Sequence, residues 1–256
     1  MQKKLQAFSM GDVQVIFKKE DILPEELRGK VVVVFDVLFA TSTITAAIAD
    51  GATSVIPVFS PDEARKKAEQ FNGPFVMAGE DKGRRIEGFE PPLRTYLKSI
   101  IKDKHLILTT TNGTIALHQS RQASSLYASS LLNNPAMATH MAEHHREDDV
   151  VLVCAGSSGK FTVEDFYGVG SLVYHMQKKG KWRLSDGAVT ALGFYKGSGA
   201  AKELLRTCRI GKLLVKAGLD PQEIDFVADE GLFESILTYD RESGQIKEGK
   251  NATSSA

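Results

Sequence analysis

The chain has 256 residues, enough for one large domain or two small ones, and its 32 basic residues are balanced by 32 acidic ones. This balance leaves no strong field for nucleic acid or an anionic membrane, so it favours a small-molecule partner. The start of the chain lacks the apolar core of a signal peptide, and Asp36 interrupts the longest apolar run. The two cysteines, Cys154 and Cys208, do not make a disulfide scaffold. We expect a cytoplasmic protein with no membrane span; whether copies form a homo-oligomer stays open.

The predicted elements alternate along the chain. After an N-terminal strand pair around 13–18, strands are expected at 31–35, 55–58, 75–78, 105–108, 126–128 and 150–154. Helices are expected at 43–50, 61–71, 93–102, 113–120, 135–145, 164–179 and 202–216. This pattern predicts a three-layer α/β/α protein with a mixed, largely parallel sheet. Residues 1–250 would form a single domain with a long loop at 79–92, and 251–256 would be a disordered tail.

The first buried strand carries the most information. Residues 31–35 read V-V-V-V-F, which predicts a strand covered on both faces, and Asp36 follows it directly. A hydroxyl cluster comes next, formed by Thr41, Ser42 and Thr43, and then an apolar-periodic segment that starts a helix. Open α/β sheets bind anions and place catalytic carboxylates at such strand–loop–helix junctions.

A weak internal repeat relates residues 30–58 to 104–128, with Thr43 aligned on Thr114. In both segments a strand leads into a Thr-rich loop, a helix and a second strand, which suggests two similar, intertwined halves. A third strand, 150–154, enters a small-residue loop before a helical stretch through Asp165. We expect the three loops to share one site, because ligand sites in such sheets gather at strand ends.

Several known catalytic motifs do not fit these loops. A haloacid-dehalogenase phosphatase needs a second aspartate where Leu38 stands, and a cysteine phosphatase loop needs arginine where Lys160 follows Cys154. A nucleotide P-loop needs Ser or Thr where Phe161 stands. Cys154 is therefore interpreted as a core residue.

One short motif has the spacing of a zinc site. His140, Glu143 and His144 spell H-x-x-E-H, but the charged run at 145–149 that follows is typical of a solvated helix end. We do not predict zinc here.

Carboxylates and hydroxyls remain as the candidate chemistry. Acidic residues stand at or just after predicted strand or loop junctions, namely Asp36, Glu80, Glu164, Asp165, Asp186, Asp229 and Glu230. Residues 109–114 add hydroxyls, an amide and a glycine turn. Hard oxygen ligands suit Mg²⁺, which binds one or two carboxylates together with substrate phosphate. Taken singly, each acid also fits a helix cap or surface charge, Glu164 and Asp165 in particular.

These residues resemble a known family along most of the chain. The matching elements are D-V-L-F-A-T-S-T-I at 36–44, A-G-E-D-K-G at 78–83, G-F-E at 88–90, T-T-N-G-T at 110–114, L-N-N at 132–134, C-A-G at 154–156 with E-D at 164–165, and L-S-D-G-A at 184–188. In this order they resemble the magnesium-dependent 2-phosphosulfolactate phosphatases, the ComB-like proteins.

The resemblance implies magnesium-dependent hydrolysis of a small anionic phosphoester, 2-phosphosulfolactate, to sulfolactate and phosphate. It implies catalytic roles for Asp36, Glu80 and Asp165, with Mg²⁺ held by Asp36 and some of Glu80, Glu164, Asp165 and Asp186. The expected substrate-binding residues are Thr41, Ser42, Thr43, Thr111, Asn112, Gly113, Thr114, Arg84 and Arg85. The backbone N–H groups at 41–43 and 112–114 are expected to bind the equatorial oxygens of the phosphoryl group. Attack by water and attack by Asp36 both stay open.

The chain departs from the family pattern at two places. Phe39 stands where the family has an arginine, and the family's G-N-S-P is replaced by P-P-L-R at 91–94. Arg84, Arg85 or Arg94 could supply the missing cation. The alternatives are a non-catalytic anion-binding protein and a phosphatase of a different small acidic phosphoester.

Overall fold

An eleven-stranded sheet forms the centre of the protein, and the structure, a computed structural model, describes residues 10–249. The strands are β1 (Asp12–Ile16), β2 (Val31–Phe35), β3 (Ser54–Val58), β4 (Phe75–Asp81), β5 (Arg84–Arg85), β6 (His105–Thr109), β7 (Ser125–Ala128), β8 (Val150–Cys154), β9 (Arg183–Leu184), β10 (Leu237–Asp240) and β11 (Gln245–Glu248). Their spatial order is β5-β4-β6-β3-β11-β10-β7-β2-β8-β1-β9.

Ten α-helices and three short 3₁₀ helices lie within the described residues. The α-helices are α1 (Ala40–Ala49), α2 (Pro61–Gln70), α3 (Arg94–Leu97), α4 (Gly113–Gln119), α5 (Asn134–His144), α6 (Val163–Lys179), α7 (Asp186–Gly197), α8 (Ala201–Thr207), α9 (Arg209–Lys216) and α10 (Pro221–Val227). Over residues 10–249, no helix combines the length and apolar character needed to cross a membrane.

The sheet consists of two parallel groups joined by a hairpin, with the short strand β5 antiparallel to β4 at one edge. Strands β4, β6 and β3 are parallel to one another, as are β7, β2, β8, β1 and β9. The β10–β11 hairpin lies between the groups and pairs antiparallel with β3 on one side and β7 on the other. Three successive antiparallel pairings separate β3 from β7, so the two groups run in opposite directions.

Helices cover both faces of the sheet, which confirms the predicted three-layer α/β/α fold with a mixed, largely parallel sheet. One hydrophobic core joins strands of both groups to helices α1 and α4. On the opposite face, α5, α6 and α7 pack on the five-strand parallel group that contains β2 and β8. Helix α2 packs on β3 and β6 of the other group. Helices α8 and α10 form a smaller core with Val37, just beyond β2.

Strand β2 shows how the two faces share one apolar run. Val32 and Val34 belong to the core with α1 and α4, whereas Val31, Val33 and Phe35 belong to the core with α5 and α6. All five side chains are buried, as the sequence predicts. Burying a side chain of this size stabilises the folded state by roughly 1.5–3 kcal/mol, so β2 anchors the loop that follows it.

The two related segments intertwine through their strands. In the first, β2 leads through α1 to β3; in the second, β6 leads through α4 to β7. The starting strand of each segment pairs with the final strand of the other, β6 with β3 and β2 with β7. The assignment of 1–250 to one domain extends past the described residues and stays a prediction, and the tail at 251–256 lies outside them.

The structure corrects several predicted elements. A single strand, β1, replaces the expected N-terminal strand pair and has parallel partners, β8 and β9. The helix expected at 202–216 is two helices, because Cys208 between them is extended. The loop expected at 79–92 contains the end of β4 and the short strand β5. Helix α7 is additional, and begins at an N-cap where the Ser185 side chain accepts from the Ala188 N–H.

The H-x-x-E-H segment at the end of α5 has a structural role. His140 Nε2 lies 3.0 Å from Tyr127 Oη, which lies 2.8 Å from His145 Nε2. His145 Nδ1 in turn lies 2.8 Å from Asp148 Oδ2. Burial, with the nearby His144 and His145, lowers the pKa of His140 to about 4. This chain of hydrogen bonds gives His140 a partner within the protein.

His140 should therefore weaken the fold in acid. The unfolded chain gains a proton at its ordinary pKa of 6.5, while the folded chain resists protonation until about pH 4. Across that window the unfolded state binds more protons, so acidification lowers the free energy of unfolding. In His140→Gln this free energy, measured by urea titration, should fall less between these two pH values than in the wild type. Parallel pH profiles would contradict the shift.

Candidate active site

Three strand-end loops surround one cavity of about 300 Å³. Asp36 comes from the loop after β2, Thr110 to Asn112 from the loop after β6, and Ser157 and Ser158 from the loop after β8. The remaining wall residues are Leu38, Phe39, Ala40, Glu80, Lys82, Gly83, Pro92, Arg209, Ile210, Leu213 and Leu214. The three loops thus meet at one cavity, as the sequence predicts; that this cavity is the functional site stays a prediction.

Asp36 is a buried carboxylate at the wall of this cavity. Its backbone is fixed by Thr41, whose hydroxyl accepts from the Asp36 N–H and donates to the Asp36 carbonyl, both at 3.0 Å. Burial, followed by the negative charge of Glu80, raises the pKa of Asp36 to about 7, and Glu164 adds to the rise. The backbone N–H groups of Ala40 and Gly113 offset part of this rise in the pKa.

Gly113 lets the loop after β6 approach Asp36. A Cβ atom at this position would lie 2.7 Å from Asp36 Oδ2 and 2.8 Å from Asp36 Cβ, and would overlap the Ala40 Cβ. The glycine is not among the residues with positive φ. It is needed for the close approach of α4 to the loop, and not for a turn.

Glu80 is held by three hydrogen bonds. Its Oε1 accepts from the Thr111 N–H at 2.6 Å, and its Oε2 accepts from the Thr111 hydroxyl at 2.9 Å and the Gly83 N–H at 2.6 Å. The Thr111 hydroxyl also accepts from the Lys82 N–H at 2.7 Å. Glu80 thus fastens the β4–β5 hairpin to the loop after β6.

Asp165 joins the loops that follow β2 and β8. Its Oδ1 accepts from the Val37 N–H at 2.9 Å, and its Oδ2 accepts from the Gly156 N–H at 3.0 Å and the Thr162 hydroxyl at 2.6 Å. Burial, then the charges of Asp36 and Glu164, raise the pKa of Asp165 well above its ordinary value. The Asp165 carboxylate thus accepts three hydrogen bonds, although the carboxylates of Asp36 and Glu164 lie near it.

Glu164 differs from these acids because one of its oxygens has no partner. The residue is 3% exposed, and Oε2 makes no hydrogen bond to the part of the chain that the structure describes. Burial raises the pKa of this carboxyl. A buried, unpartnered carboxylate oxygen is costly unless a cation or proton satisfies it.

The predicted hydroxyl ligands mostly bond to the backbone. The hydroxyls of Thr41, Ser42 and Thr43 donate to the carbonyls of Asp36, Val37 and Pro92. The Thr114 hydroxyl donates to the Thr110 carbonyl at 3.0 Å. These four residues and Gly113 are not among the described residues that line the cavity. These hydroxyls shape the loops. The N–H groups of Thr41 and Thr43 bond the carbonyls of Asp36 and Phe39, and the Thr114 N–H bonds the Thr110 hydroxyl. Contact of the predicted residues with substrate stays a prediction; of these residues, Thr111 and Asn112 line the cavity.

The orientation of Asn112 follows from its neighbour. Lys19 is 8% exposed and its Nζ lies 2.9 Å from the Asn112 side-chain oxygen. An ammonium group can only donate, so the carboxamide oxygen must face Lys19. The Asn112 NH₂ group is thereby left as a donor on the other side.

The predicted arginines and the predicted metal ligand Asp186 lie outside the cavity wall. Arg84 and Arg85 form the exposed strand β5, outside the cavity lining. Arg94 makes a bidentate ion pair with Asp50, with both N–O distances 2.7 Å, and its guanidinium lies over Phe226. Asp186 begins α7 and is outside the lining. Glu164 and Asp165 are also outside the lining, buried behind it, so Asp36 and Glu80 are the predicted acids in the cavity wall.

The predicted acids do not converge as a metal-binding group. Within residues 10–249, no group of three or more His, Cys, Asp or Glu side chains is arranged to hold a metal ion. Any metal here would have to combine fewer protein carboxylates with other ligands. Asp36, with Glu80 and Glu164 near enough to perturb its pKa, is the centre of what the structure brings together.

Sequence reasoning missed other residues of the site. Lys19, Lys82 and Arg209 are cations at or beside the cavity, and Ile210, Leu213 and Leu214 of α9 give it an apolar side. Lys82 lies within the A-G-E-D-K-G element, so that motif could have indicated it. Arg209 is far along the chain from every motif, and only the packing of α9 places it here.

Comparison with known proteins assigns the chain to a family. The profile of the family described as 2-phosphosulpholactate phosphatase matches residues 16–242. The chain belongs to this family. A Clostridium acetobutylicum protein named "Probable 2-phosphosulfolactate phosphatase" is 36% identical over 231 residues, covering 89% of this chain and 97% of the relative. A Symbiobacterium thermophilum protein of the same name is 37% identical over 201 residues, covering 76% and 85% respectively.

Membership confirms the resemblance seen in the motifs. A third relative of that name, from Clostridium perfringens, is 33% identical over 241 residues and covers 92% of this chain and 95% of its own. The matched region includes all three strand-end loops and α9. The cavity is thus part of the region shared with the family.

The close approach at Gly113 can be tested by stability. Gly113→Ala should lower the free energy of unfolding by about 1–3 kcal/mol, the usual cost of overpacking, because the new methyl group meets Ala40 and Asp36. Gly193→Ala in α7 is the matched control, since a Cβ there meets nothing within 4 Å. It should stabilise the helix by roughly 0.5–1 kcal/mol. Equal urea unfolding curves for the two variants would show that the loop shifts to accept the methyl group, and would contradict the prediction.

Proposed function

We propose that this chain is a magnesium-dependent phosphatase that hydrolyses 2-phosphosulfolactate to sulfolactate and phosphate. The observation that carries the proposal is the buried Asp36 carboxylate at the wall of a cavity formed by three strand-end loops. Family membership and the names of the relatives support the reaction and the substrate.

The carboxylates of the site suit Mg²⁺ in chemical type and in number. Glu80 and Asp165 use both of their oxygens to hold the loops, whereas Glu164 Oε2 has no hydrogen-bond partner among the described residues. We therefore assign the ion to Asp36 and Glu164. Mg²⁺ is commonly bound by one or two carboxylates, waters and substrate phosphate, so a cage of three acids is not required. When bound, the ion would polarise the phosphoryl oxygens and offset negative charge. Asp36 and Glu164 would hold it.

Glu80 and Asp165 are assigned to positioning. Each fixes backbone segments around Asp36, Glu80 through Thr111 and Gly83, and Asp165 through Val37 and Gly156. Their hydrogen bonds hold the loops in place before substrate arrives, so little reorganisation is needed during the reaction.

Asn112 is the amide donor for the phosphate. Lys19 occupies its carboxamide oxygen, so the NH₂ group is oriented without help from the substrate. Lys82 lines the same cavity and adds positive charge. Donors placed in advance stabilise charge that develops on the phosphoryl oxygens.

Asp36 either attacks phosphorus or orients an attacking water. Attack by Asp36 on phosphorus would break the bond between phosphorus and the C2 oxygen of sulfolactate, which takes up a proton and leaves, and would form an acyl phosphate on residue 36. Water would then attack phosphorus, release phosphate and regenerate the carboxylate. Borohydride reduction of enzyme quenched during turnover would convert such an acyl phosphate to homoserine. Mass spectrometry of the peptide containing residue 36 distinguishes the two routes.

Asp36→Asn should nearly abolish turnover while the protein stays folded. Removing this carboxylate should lower kcat by roughly 10²-fold or more. The variant should also unfold at a higher temperature, because burial and the nearby Glu80 disfavour the charged form of Asp36. Asp62→Asn, in the first turn of α2, is the control and should match the wild type. Normal turnover in folded Asp36→Asn would reassign Asp36 to a structural role.

Metal dependence gives a separate test. Chelation with EDTA should abolish hydrolysis of 2-phosphosulfolactate, and Mg²⁺ should restore it better than Zn²⁺, because the available ligands are hard oxygens. Full activity in EDTA would remove the metal from the proposal. Restoration by Zn²⁺ alone would point to a histidine-containing site.

Two rival functions make different predictions. A non-catalytic anion-binding protein would bind sulfolactate or phosphate without turnover under any metal condition. A phosphatase of another acidic phosphoester would hydrolyse a generic aryl phosphate but leave 2-phosphosulfolactate intact.

We also propose a cytoplasmic location, supported by two buried cysteines that are unpaired, Cys154 and Cys208. Association into a homo-oligomer stays a prediction that analytical ultracentrifugation would test.

A further inference from the structure

The substrate of the proposed reaction carries three acidic groups, and the following inference rests on that proposed function. Besides the phosphate, 2-phosphosulfolactate has a carboxylate and a sulfonate. The Asp36 side of the cavity, with Asn112, is assigned to the phosphate. The sulfonate at the far end of the molecule needs its own cation, because desolvating an unpaired anion is costly.

The arginines that the sequence offers in place of Phe39 do not supply that cation. Phe39 occupies the cavity wall with an apolar ring. Arg94 is engaged by Asp50, and Arg84 and Arg85 lie on the exposed strand β5 outside the lining. Arg209 is the arginine that the structure places in the cavity wall.

The start of α9 holds Arg209 in position. Cys208, the N-cap, is buried; its thiol donates to the Leu205 carbonyl and accepts from the Gly211 N–H, both at 3.2 Å. Gly211 packs so closely on the Leu205 carbonyl that a Cβ could not fit. Ile210 is buried beside it. The backbone that carries Arg209 is therefore fixed at both sides.

The side chain itself is free to bind a ligand. Arg209 is exposed, and among residues 10–249 it makes no ion pair within 4.0 Å and no side-chain hydrogen bond. A guanidinium presents five N–H donors in a planar fork that matches the oxygens of a tetrahedral anion. Leu213 is 57% exposed, and with Leu214 it lines the cavity on the same helix. This apolar surface suits the methylene group that bears a sulfonate.

We propose that Arg209 binds the substrate's sulfonate and determines the preference for sulfolactate phosphate over lactate phosphate. The helix α9 thus supplies the specificity that Phe39 cannot provide. A competing interpretation is that Arg209 only offsets the buried charge of Glu164, which lies close enough to interact with it. That role would affect every substrate equally.

A pair of substrates separates these roles. 2-Phospholactate has the same skeleton as 2-phosphosulfolactate but carries hydrogen in place of the sulfonate. In Arg209→Gln, the KM for 2-phosphosulfolactate should rise about 10- to 100-fold, the loss expected for a charge-assisted hydrogen bond, with kcat nearly unchanged. The kinetics with 2-phospholactate should stay those of the wild type. Arg209→Lys should recover part of the affinity, since it keeps the charge without the fork.

Lys212→Gln is the matched control, because Lys212 is an exposed cation on the same helix outside the cavity lining. It should behave as the wild type with both substrates. Equal losses with both substrates in Arg209→Gln, or no loss with either, would overturn the proposal.

Calorimetry with the product 3-sulfolactate, compared with lactate, tests binding without turnover. The wild type should prefer 3-sulfolactate, and Arg209→Gln should lose that preference. If the wild type shows this binding but hydrolyses nothing, the proposed phosphatase function fails while the role of Arg209 stands. If it hydrolyses 2-phosphosulfolactate and Arg209→Gln keeps the preference, the function stands and the role of Arg209 fails.

Discussion

The buried carboxylate of Asp165 is the interaction on which the arrangement of the site depends. It accepts from backbone N–H groups on two loops, at Val37 and Gly156, and from the Thr162 hydroxyl before its own helix. Losing a partner in such a buried network costs about 1–3 kcal/mol for each donor left unsatisfied. Strands β2 and β8 are neighbours, so their loops already emerge side by side. Asp165 converts this proximity into a fixed geometry around Asp36.

The same network concentrates negative charge where solvent cannot screen it. Burial, with Glu80 and Glu164 nearby, raises the pKa of Asp36, and burial with Asp36 and Glu164 raises that of Asp165. Backbone N–H groups from Ala40 and Gly113 offset part of this cost at Asp36. The remaining cost is a physical reason for the site to attract a cation. A fold that tolerates this repulsion gives up some stability for a site ready to bind one, as is common where activity and stability conflict.

Much of this could be predicted from the sequence, and the failures have identifiable causes. The apolar run of β2 and the acid that follows it are local patterns, so both could be predicted. The direction in which a hydroxyl points could not be predicted. The Ser42 hydroxyl donates to the Val37 carbonyl, and the order of residues does not distinguish this from a hydroxyl that faces substrate. Helix α7 escaped prediction because its glycines, at 187, 193 and 197, weaken the helical pattern. Arg209 escaped because its contact with the cavity arises only from the packing of a distant helix.

The opposite directions of the two strand groups explain why the loop after β6 could not be placed by topology alone. The expectation that parallel strands bring their loops to one edge holds for β2 and β8. It does not hold for β6, which belongs to the other group. That loop reaches Asp36 because α1 packs against α4, within the one core that both groups share. The approach is close enough that only glycine fits at position 113. The T-T-N-G-T element is therefore a packing requirement as well as a set of polar groups. Its glycine brings the start of α4 against the carboxylate, and this leaves Asn112, directly before it, in the cavity wall with its amide oriented by Lys19.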